Sequence, residues 1–560
     1  MAVDITSEQA IPIDEPFKVS AGPGAGKTHW LISHIKNVVS NSHKLDVVKK
    51  IACITYTNVG ADTIVSRLCI GNDVVDVCTI HSFLYANVVK PYVHLVADDF
   101  GLKQKDLVVI DDSNFMTEGI AAQLLVRMKK QWLDPKIYLK GLENSYWHYD
   151  NHQYTDYKPK YPQSYSTKKG KRYVGNALYM EFKTWLWSGG FVSFEDILYL
   201  SFVLLSRYPN IYNLIKTKFP YVFVDEFQDT VPFVVDFLDE LGKRGVIIGV
   251  VGDKAQSIYD FLGATVQQFD RFTVHGMKEY EIRGNRRSTK QIIELLNVIR
   301  TDFAQDWLNG MEGMKPVLMV GDMLDCYQKS IEISGSDEIQ SLAFPNILAN
   351  SMRRKNGARD VDKILEMDFD SNLGRQMYVK TLLKAVEYTK MNDLRNAWHQ
   401  LDIIDRDRTK TIVMLRLLLE SYNRYKDGSL MDFYYFLTTD LQLNLQGFKT
   451  GTANKTFYET HTYVDTALGV KSGDSDDKHK TIHKSKGEEF DNVFVILQDE
   501  NDLGFLVAPD LYNNNAHRVY YVAASRAKQR LFINVPSLSD ENRIKLESIS
   551  SLEIPKNGLD

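Results

Sequence analysis

The stretch "FKVSAGPGAGKTHWLI", residues 17–32, joins an apolar run to a glycine-rich turn and then to a segment with helical spacing. Beyond Thr28 the apolar residues Leu31, Ile35, Val38 and Val39 fall at i, i+4, i+7 and i+8, which is one face of a helix. The stretch therefore reads strand, loop, helix. Gly22, Gly24 and Gly26 let backbone N–H groups turn inward around phosphate oxygens, and the start of the helix adds positive potential at the same place. The nucleotide-binding set expected here is Ala21, Gly22, Pro23, Gly24, Ala25, Gly26, Lys27, Thr28 and His29. Lys27 would reach the β- and γ-phosphates of a nucleoside triphosphate and Thr28 a magnesium ion. Ala21 stands where the strict phosphate-loop pattern has its first glycine.

A triphosphate with Mg²⁺ needs carboxylates, and "YVFVDEFQDT", residues 221–230, supplies them at the end of an apolar run. Asp225 would hold the ion and Glu226 would polarise the attacking water, while the divalent charge offsets the repulsion between the two acids. Asp229 is better read as a cap for the following helix.

Outward from these two stretches, short β-branched runs ("KIACITYT", "VIIGVVGD") alternate with helical spacing, the pattern of a parallel sheet with crossover helices. Strand runs thin out at about 95–185 and again at about 365–455, where "GRQMYVKTLLKAVEYTK" and "TIVMLRLLLESYNRY" have helical spacing. The rhythm returns with "NVFVIL" and "RLFINV", and "SGDSDDKHK" reads as a polar loop at the re-entry. The fold class expected is α/β: two units built on parallel sheets with flanking helices, each carrying a mainly helical inserted domain. The boundaries read as 1–95 and 186–275 for the first unit around an insertion at 96–185, then 276–364 and 456–560 for the second around a reduced insertion at 365–455.

The composition fits several such domains. The 560 residues are 44% hydrophobic and 25% charged, as in soluble globular chains. The acidic N-terminus lacks an apolar segment and no uninterrupted run is long enough to cross a bilayer, so a cytoplasmic protein without membrane contact is expected. Cys53, Cys69, Cys78 and Cys326 are scattered without a C-x-x-C pair, which argues against zinc, iron–sulfur or disulfide frameworks. The net charge of −5 means that any nucleic-acid site must be a local groove.

In "VGDKAQSIYDFLGA", residues 251–264, Gln256 follows a buried strand at a place where it can sense a γ-phosphate, and Tyr259 and Phe261 can present rings to unstacked bases. Stacking of this kind is worth about 1–3 kcal/mol per base and tolerates any sequence. The alternative, that both rings are core residues, stays open.

With these pieces in order, the chain resembles a superfamily 1 helicase of the UvrD/Rep/PcrA type, whose motifs run here from residue 9 to about 531. The resemblance implies two RecA-like P-loop motor domains. It puts Gln9 of "TSEQAI" at the adenine-reading glutamine. In "ITYTNVGA" Tyr56 replaces a base-contacting Phe and Asn58 is retained; in "TIHSF" Thr79 and His81 are retained. "DEFQDT" matches throughout, and Phe261 replaces a Trp. "GNRRST" places Arg287 at an arginine finger and Arg286 where the family carries an adenine-packing Tyr. "TIHKSKGEEFDNVFV" retains His483, Lys486, Gly487, Glu489 and Phe490, with Glu489 on the nucleotide side, and "RVYYVAASRAKQRL" makes Arg526 the second finger.

The resemblance then implies an ATP-dependent, Mg²⁺-dependent translocase or helicase. Lys27, Glu226, Gln256, Arg287 and Arg526 would be catalytic, and Gln9, Arg286 and Glu489 would bind nucleotide. Tyr56, Asn58, Thr79, His81, Tyr259, Phe261 and His483 would grip single-stranded or partly duplex DNA, with stepping in the 3′ to 5′ direction. The triphosphate would sit in a cleft between the two motor domains.

A second reading comes from size. The chain resembles the compact UvrD-like subunits that pair with a separate nuclease in Gabija-type anti-phage systems. About thirty residues follow Arg526, too few for a nuclease domain of ordinary size, so cleavage would come from a partner subunit. The segment 145–173, "SYWHYDNHQYTDYKPKYPQSYSTKKGKRY", interleaves tyrosines with Lys158, Lys160, Lys168, Lys169, Lys171 and Arg172. It reads equally as a nucleic-acid arm and as a polar surface excursion.

Overall fold

In the computed structural model the β-branched runs of the N-terminal half line up as one parallel sheet of seven strands. Their order is Val3–Asp4, Lys278–Ile282, Phe17–Ala21, Ile247–Gly252, Tyr221–Val224, Ile51–Thr55 and Val75–Thr79. Strand Tyr221–Val224 is buried along its whole length and pairs with Ile51–Thr55 on one side and Ile247–Gly252 on the other. This double cover is why it reads as a continuous apolar run. The helix Lys27–Asn41 buries Leu31, Ile35 and Val38 while Val39 is half-buried, so the expected apolar face is the packed one.

The described residues are 2–555 apart from 72, 104–106, 168–169, 261–262, 264, 337, 356–363, 368, 406 and 471–477. The chain separates into two units, 1–286 and 287–560. The expected start of the second unit at residue 276 is eleven residues early. Strand Lys278–Ile282 pairs in parallel with Phe17–Ala21 and so completes the first sheet. Its alternating sequence "KEYEI", with Tyr280 and Ile282 buried, carries no mark of which sheet it joins.

Within the first unit the segment between the two parts of the sheet holds the helices Glu118–Arg127, Pro135–Leu142 and Asn176–Ser188. It also contains more strand than expected. The Tyr/Lys-rich stretch folds as two antiparallel hairpins, Ser145–Asp150 with Gln153–Pro159 and Ser164–Thr167 with Gly170–Tyr173. The first is anchored by buried Trp147 and Tyr157, whereas every residue of Gly170–Tyr173 is exposed. The polar-excursion reading therefore fails for the first hairpin. Lys168 and Lys169 lie outside the described residues.

The second unit is built on a five-stranded parallel sheet ordered Val317–Val320, Ala527–Val535, Phe490–Ile496, Ile339–Ala343 and His479–Thr481. Between its fourth and fifth strands lie the helices Leu373–Lys390, Leu394–Ile404, Arg408–Glu420, Leu430–Thr439 and Ala453–Thr460. These enclose a core of their own around Leu382, Val386, Phe433 and Tyr463. The expected polar loop 472–480 falls largely outside the described residues. Among the described residues no helix is long and apolar enough to cross a membrane.

Candidate functional site

In the first unit the candidate site lies at the carboxyl ends of the sheet, where open α/β sheets bind ligands. The loop after Phe17–Ala21 turns through left-handed Gly24 and Gly26, with φ of 70° and 82°. Side chains disfavour that conformation. Gly26 caps the helix Lys27–Asn41 and leaves its first N–H groups facing the loop. The buried Lys27 ammonium lies 3.5 Å from the Ala21 carbonyl oxygen across the base of the loop, curled into the cradle a phosphate would fill.

Thr28 and Asp225 meet although they are far apart in sequence: the Thr28 hydroxyl donates to the Asp225 carboxylate at 3.1 Å. Burial, and then repulsion from Glu226, push the Asp225 carboxyl well above the ordinary carboxylate range, and Lys27 only partly offsets this. A buried oxygen set with excess negative charge is what a hard divalent cation satisfies, so a hydroxyl and a carboxylate at this spacing fit Mg²⁺. Glu226 adopts the left-handed conformation, with φ of 53° and ψ of 42°. Strain of this sort in a non-glycine residue clusters at functional positions.

Glu226 is held there by a relay. The Gln228 side-chain amide donates to the Glu226 carboxylate, and its oxygen accepts from the Asp253 N–H at 2.9 Å. Gln256 in turn donates to the Asp253 carboxylate at 2.6 Å. The sequence reading singled out Glu226 and Gln256 and passed over the two residues that connect them. Gln228 was in plain view inside "DEFQDT", as an amide that can bond both ways.

At the other side of the loop the N-terminal segment gathers the expected base-reading residues. The Trp30 indole N–H donates to the Gln9 carbonyl at 3.0 Å. Arg286 donates its backbone N–H to the Gly24 carbonyl at 3.0 Å, and its guanidinium donates to the Ser7 hydroxyl and pairs with Glu8 at 3.5 Å. Glu8 also pairs with His29 at 3.2 Å. Gln9 and His29 are exposed.

Of the residues expected on DNA, Tyr56, Asn58, Thr79, His81 and Tyr259 belong to the same unit, and Tyr56 and His81 line one cavity with Asp225 and Glu226. Tyr56 and Tyr259 stack with ring centroids 5.0 Å apart and 29° between planes. Burial, then the nearby Asp229 charge, raise both phenols far above their ordinary range, so both stay neutral. His81 meets the Phe194 ring edge-on at 5.7 Å, and burial lowers its pKa to about 4. Thr79 caps the short helix after it, accepting from the Ser82 N–H at 3.3 Å. Asn58 is exposed at the start of helix Asn58–Leu68. Phe261 lies outside the described residues.

In the second unit three motifs converge. Arg287 donates to the Glu489 carboxylate at 2.5 Å and to the Ser525 carbonyl at 3.0 Å. Arg526 is buried and donates to the carbonyls of Val522 at 3.1 Å and Glu488 at 3.3 Å. Burial would raise Glu489, but Arg287, with Lys528 and Arg526, lowers its carboxyl below the ordinary range. Glu488 and Glu489 thus accept from both guanidinium groups, Glu489 through its carboxylate and Glu488 through its carbonyl. His483 sits in the turn Ile482–Ser485 with its ring 5.6 Å from that of Phe344.

Comparison with known proteins adds the family. Residues 4–275 match the UvrD/REP helicase N-terminal domain and residues 474–537 the UvrD-like helicase C-terminal domain. Gabija protein GajB of Bacillus cereus (strain HuB5-5) is 24% identical over 97% of this chain and 91% of its own length. The ATP-dependent DNA helicase PcrA of Bacillus subtilis is 26% identical over 57% of this chain and 42% of its own length. The corresponding figures for the ATP-dependent DNA helicase srs2 of Schizosaccharomyces pombe are 26%, 53% and 35%.

Proposed function

Because the chain belongs to the UvrD-like DNA helicase family of ATP-dependent enzymes, we propose that it is an ATP-driven translocase or helicase on single-stranded DNA. The observation that carries this reading is the Glu226–Gln228–Asp253–Gln256 relay. It ties a strained carboxylate beside the phosphate loop to a glutamine three residues before Tyr259, on the ring pair expected to grip bases.

When bound, Mg²⁺·ATP supplies the scissile phosphoanhydride and a counter-charge for the buried acids. Ala21–Thr28 would wrap the phosphates, Lys27 would neutralise them, and Thr28 and Asp225 would hold the ion. Glu226 takes the proton of the attacking water at its carboxylate. Arg287 and Arg526 of the second unit neutralise charge on the γ-phosphoryl oxygens, so the triphosphate joins the two units while it lasts and releases them when cleaved. Gln9 and Arg286 read the base. Tyr56, Asn58, Thr79, His81, Tyr259, Phe261 and His483 hold the strand, and stepping runs 3′ to 5′, as in the family the chain resembles. The six domain segments expected from the sequence belong to this proposal, with the second motor domain beginning after residue 286.

A DNA-dependent turnover assay tests the reading. Lys27→Ala is expected to abolish hydrolysis, and Glu226→Gln to retain ATP while slowing cleavage about 10²–10⁴-fold, the usual worth of a general base. Hydrolysis indifferent to single-stranded DNA would remove the motor reading.

One observation favours a second reading. The similarity to Gabija protein GajB runs nearly end to end on both chains, whereas the PcrA and srs2 matches cover under half of those proteins. On this reading the motor is a DNA-sensing subunit that works with a nuclease partner in anti-phage defence. Co-purification and mass measurement separate the two, since a protein that unwinds duplexes as a monomer excludes the second.

A further inference from the structure

One short loop of the second unit, Gly487–Glu489, meets both candidate arginine fingers. It follows the turn Ile482–Ser485 through left-handed Gly487, with φ of 86°. It then enters the strand Phe490–Ile496, whose first N–H donates to the Arg526 carbonyl at 3.0 Å. Arg526 donates to the Glu488 carbonyl at 3.3 Å, and Arg287 donates to the Glu489 carboxylate at 2.5 Å. Where this loop sits therefore sets where both guanidinium groups sit.

A lysine outside the loop holds it. The Lys480 ammonium donates to both oxygens of the Glu488 carboxylate, at 2.9 and 3.1 Å, and lies 5.8 Å from the centre of the Phe490 ring. The Lys480 side chain is 11% exposed and that of Glu488 is 41% exposed. Lys480 stands in the middle of the strand His479–Thr481, opposite Leu342 of the neighbouring strand. The residue before it is tied twice: the His479 ring meets the Ser341 hydroxyl at 2.7 Å, and its carbonyl accepts from Arg353 at 2.5 Å. The lysine is thus rooted in the sheet, and its ammonium is a fixed point. An ion pair open to water on one side adds little to stability, so placement is its larger consequence.

The charges around the loop make that placement matter. Arg287, Arg526 and Lys528 gather at the same two consecutive glutamates, with Lys528 3.8 Å from Glu489. A carboxylate binds a guanidinium group more strongly than a carbonyl does, and in a forked geometry. Released from Lys480, the Glu488 carboxylate would turn on Arg526, whose guanidinium is already at its main chain, and compete there with phosphate oxygens.

We propose that Lys480 is a positioning residue for phosphoryl transfer: it retains a carboxylate that would otherwise compete for Arg526, and through Glu488 it fixes the loop that orients both arginines. The inference rests on the reading in which Arg287 and Arg526 meet the γ-phosphoryl group, and adds a residue that acts on them through Glu488.

The test is single-turnover ATP hydrolysis on saturating single-stranded DNA by wild type, Lys480→Ala, Glu488→Gln and the double variant, alongside equilibrium binding of a non-hydrolysable analogue. Lys480→Ala is expected to slow cleavage about tenfold to hundredfold, part of the roughly 10³–10⁵-fold that an arginine finger contributes, with analogue binding changed only a few-fold. Glu488→Gln alone should lose at most a few-fold. The double variant should regain most of what Lys480→Ala loses, because the amide carries no charge to set against phosphate. A purely structural role predicts the opposite, since removing both partners of a packing contact restores nothing. Melting curves of the three variants show how far each stays folded. Cleavage by Lys480→Ala within about twofold of wild type, or a loss that the double variant does not recover, overturns the inference whatever the melting curves show. Wild-type hydrolysis indifferent to single-stranded DNA overturns the motor reading itself, and the inference with it.

Discussion

At the scale of single residues, the candidate chemistry depends on how Glu226 is held. A left-handed glutamate persists only if its surroundings over-determine it, and here Gln228 does so through an amide that bonds Glu226 on one side and Asp253 on the other. Gly252 makes room for that amide. A Cβ there would stand 2.5 Å from the Gln228 side-chain oxygen and 2.7 Å from the Phe269 ring. We therefore expect Gly252→Ala to displace Gln228 and free Glu226, lowering kcat by about 10²-fold, as misplacing a catalytic group by an ångström does. Nucleotide binding should stay within a few-fold. Turnover compared with equilibrium binding of a non-hydrolysable ATP analogue checks it, and parallel loss of both would mean that the substitution has damaged the loop as a whole.

At the scale of elements, the helix Lys27–Asn41 carries both the phosphate-loop residues and an unusual core. His34 lies between the rings of Phe17, Trp30 and Phe223, parallel to Trp30 at 5.3 Å and edge-on to Phe17 at 4.8 Å. Burial lowers its pKa from 6.5 to about 4. The folded chain therefore binds fewer protons than the unfolded one between these values. Its contribution to stability is complete above pH 6.5 and is lost as pH falls toward 4, by up to about 1.4 kcal/mol per unit. Denaturant unfolding across this window should show His34→Phe gaining on wild type as pH falls; a constant gap would mean that His34 does not titrate on unfolding. The elements that carry the site were legible because each functional group sits on a short contiguous segment at the end of a strand, where apolar runs stop at Ala21, Thr55, Val224 and Gly252. Two things were not. The hairpin Ser145–Pro159 hides Trp147 and Tyr157 among polar residues, since only one of its faces is buried and a bulge between Trp147 and Tyr149 breaks the alternation. The allegiance of Lys278–Ile282 is decided by pairing with Phe17–Ala21, 261 residues earlier, and no local pattern encodes a partner.

At the scale of the whole molecule, the described groups divide between the units with a consistent logic. On the proposed function, the phosphate loop and the carboxylates at Asp225 and Glu226 belong to residues 1–286, and Glu489 with both candidate arginine fingers belongs to 287–560. Arg287 and Arg526 are already oriented on their own unit by Glu489 and by main-chain carbonyls, so little ordering remains to be done when an anion arrives. The most direct measurement is single-turnover ATP hydrolysis by Arg287→Ala on saturating single-stranded DNA, alongside binding of a non-hydrolysable analogue. We expect cleavage to fall about 10³–10⁵-fold with analogue binding changed only a few-fold. Cleavage within a few-fold of wild type would contradict the claim that guanidinium groups of the second unit complete a site begun by the first.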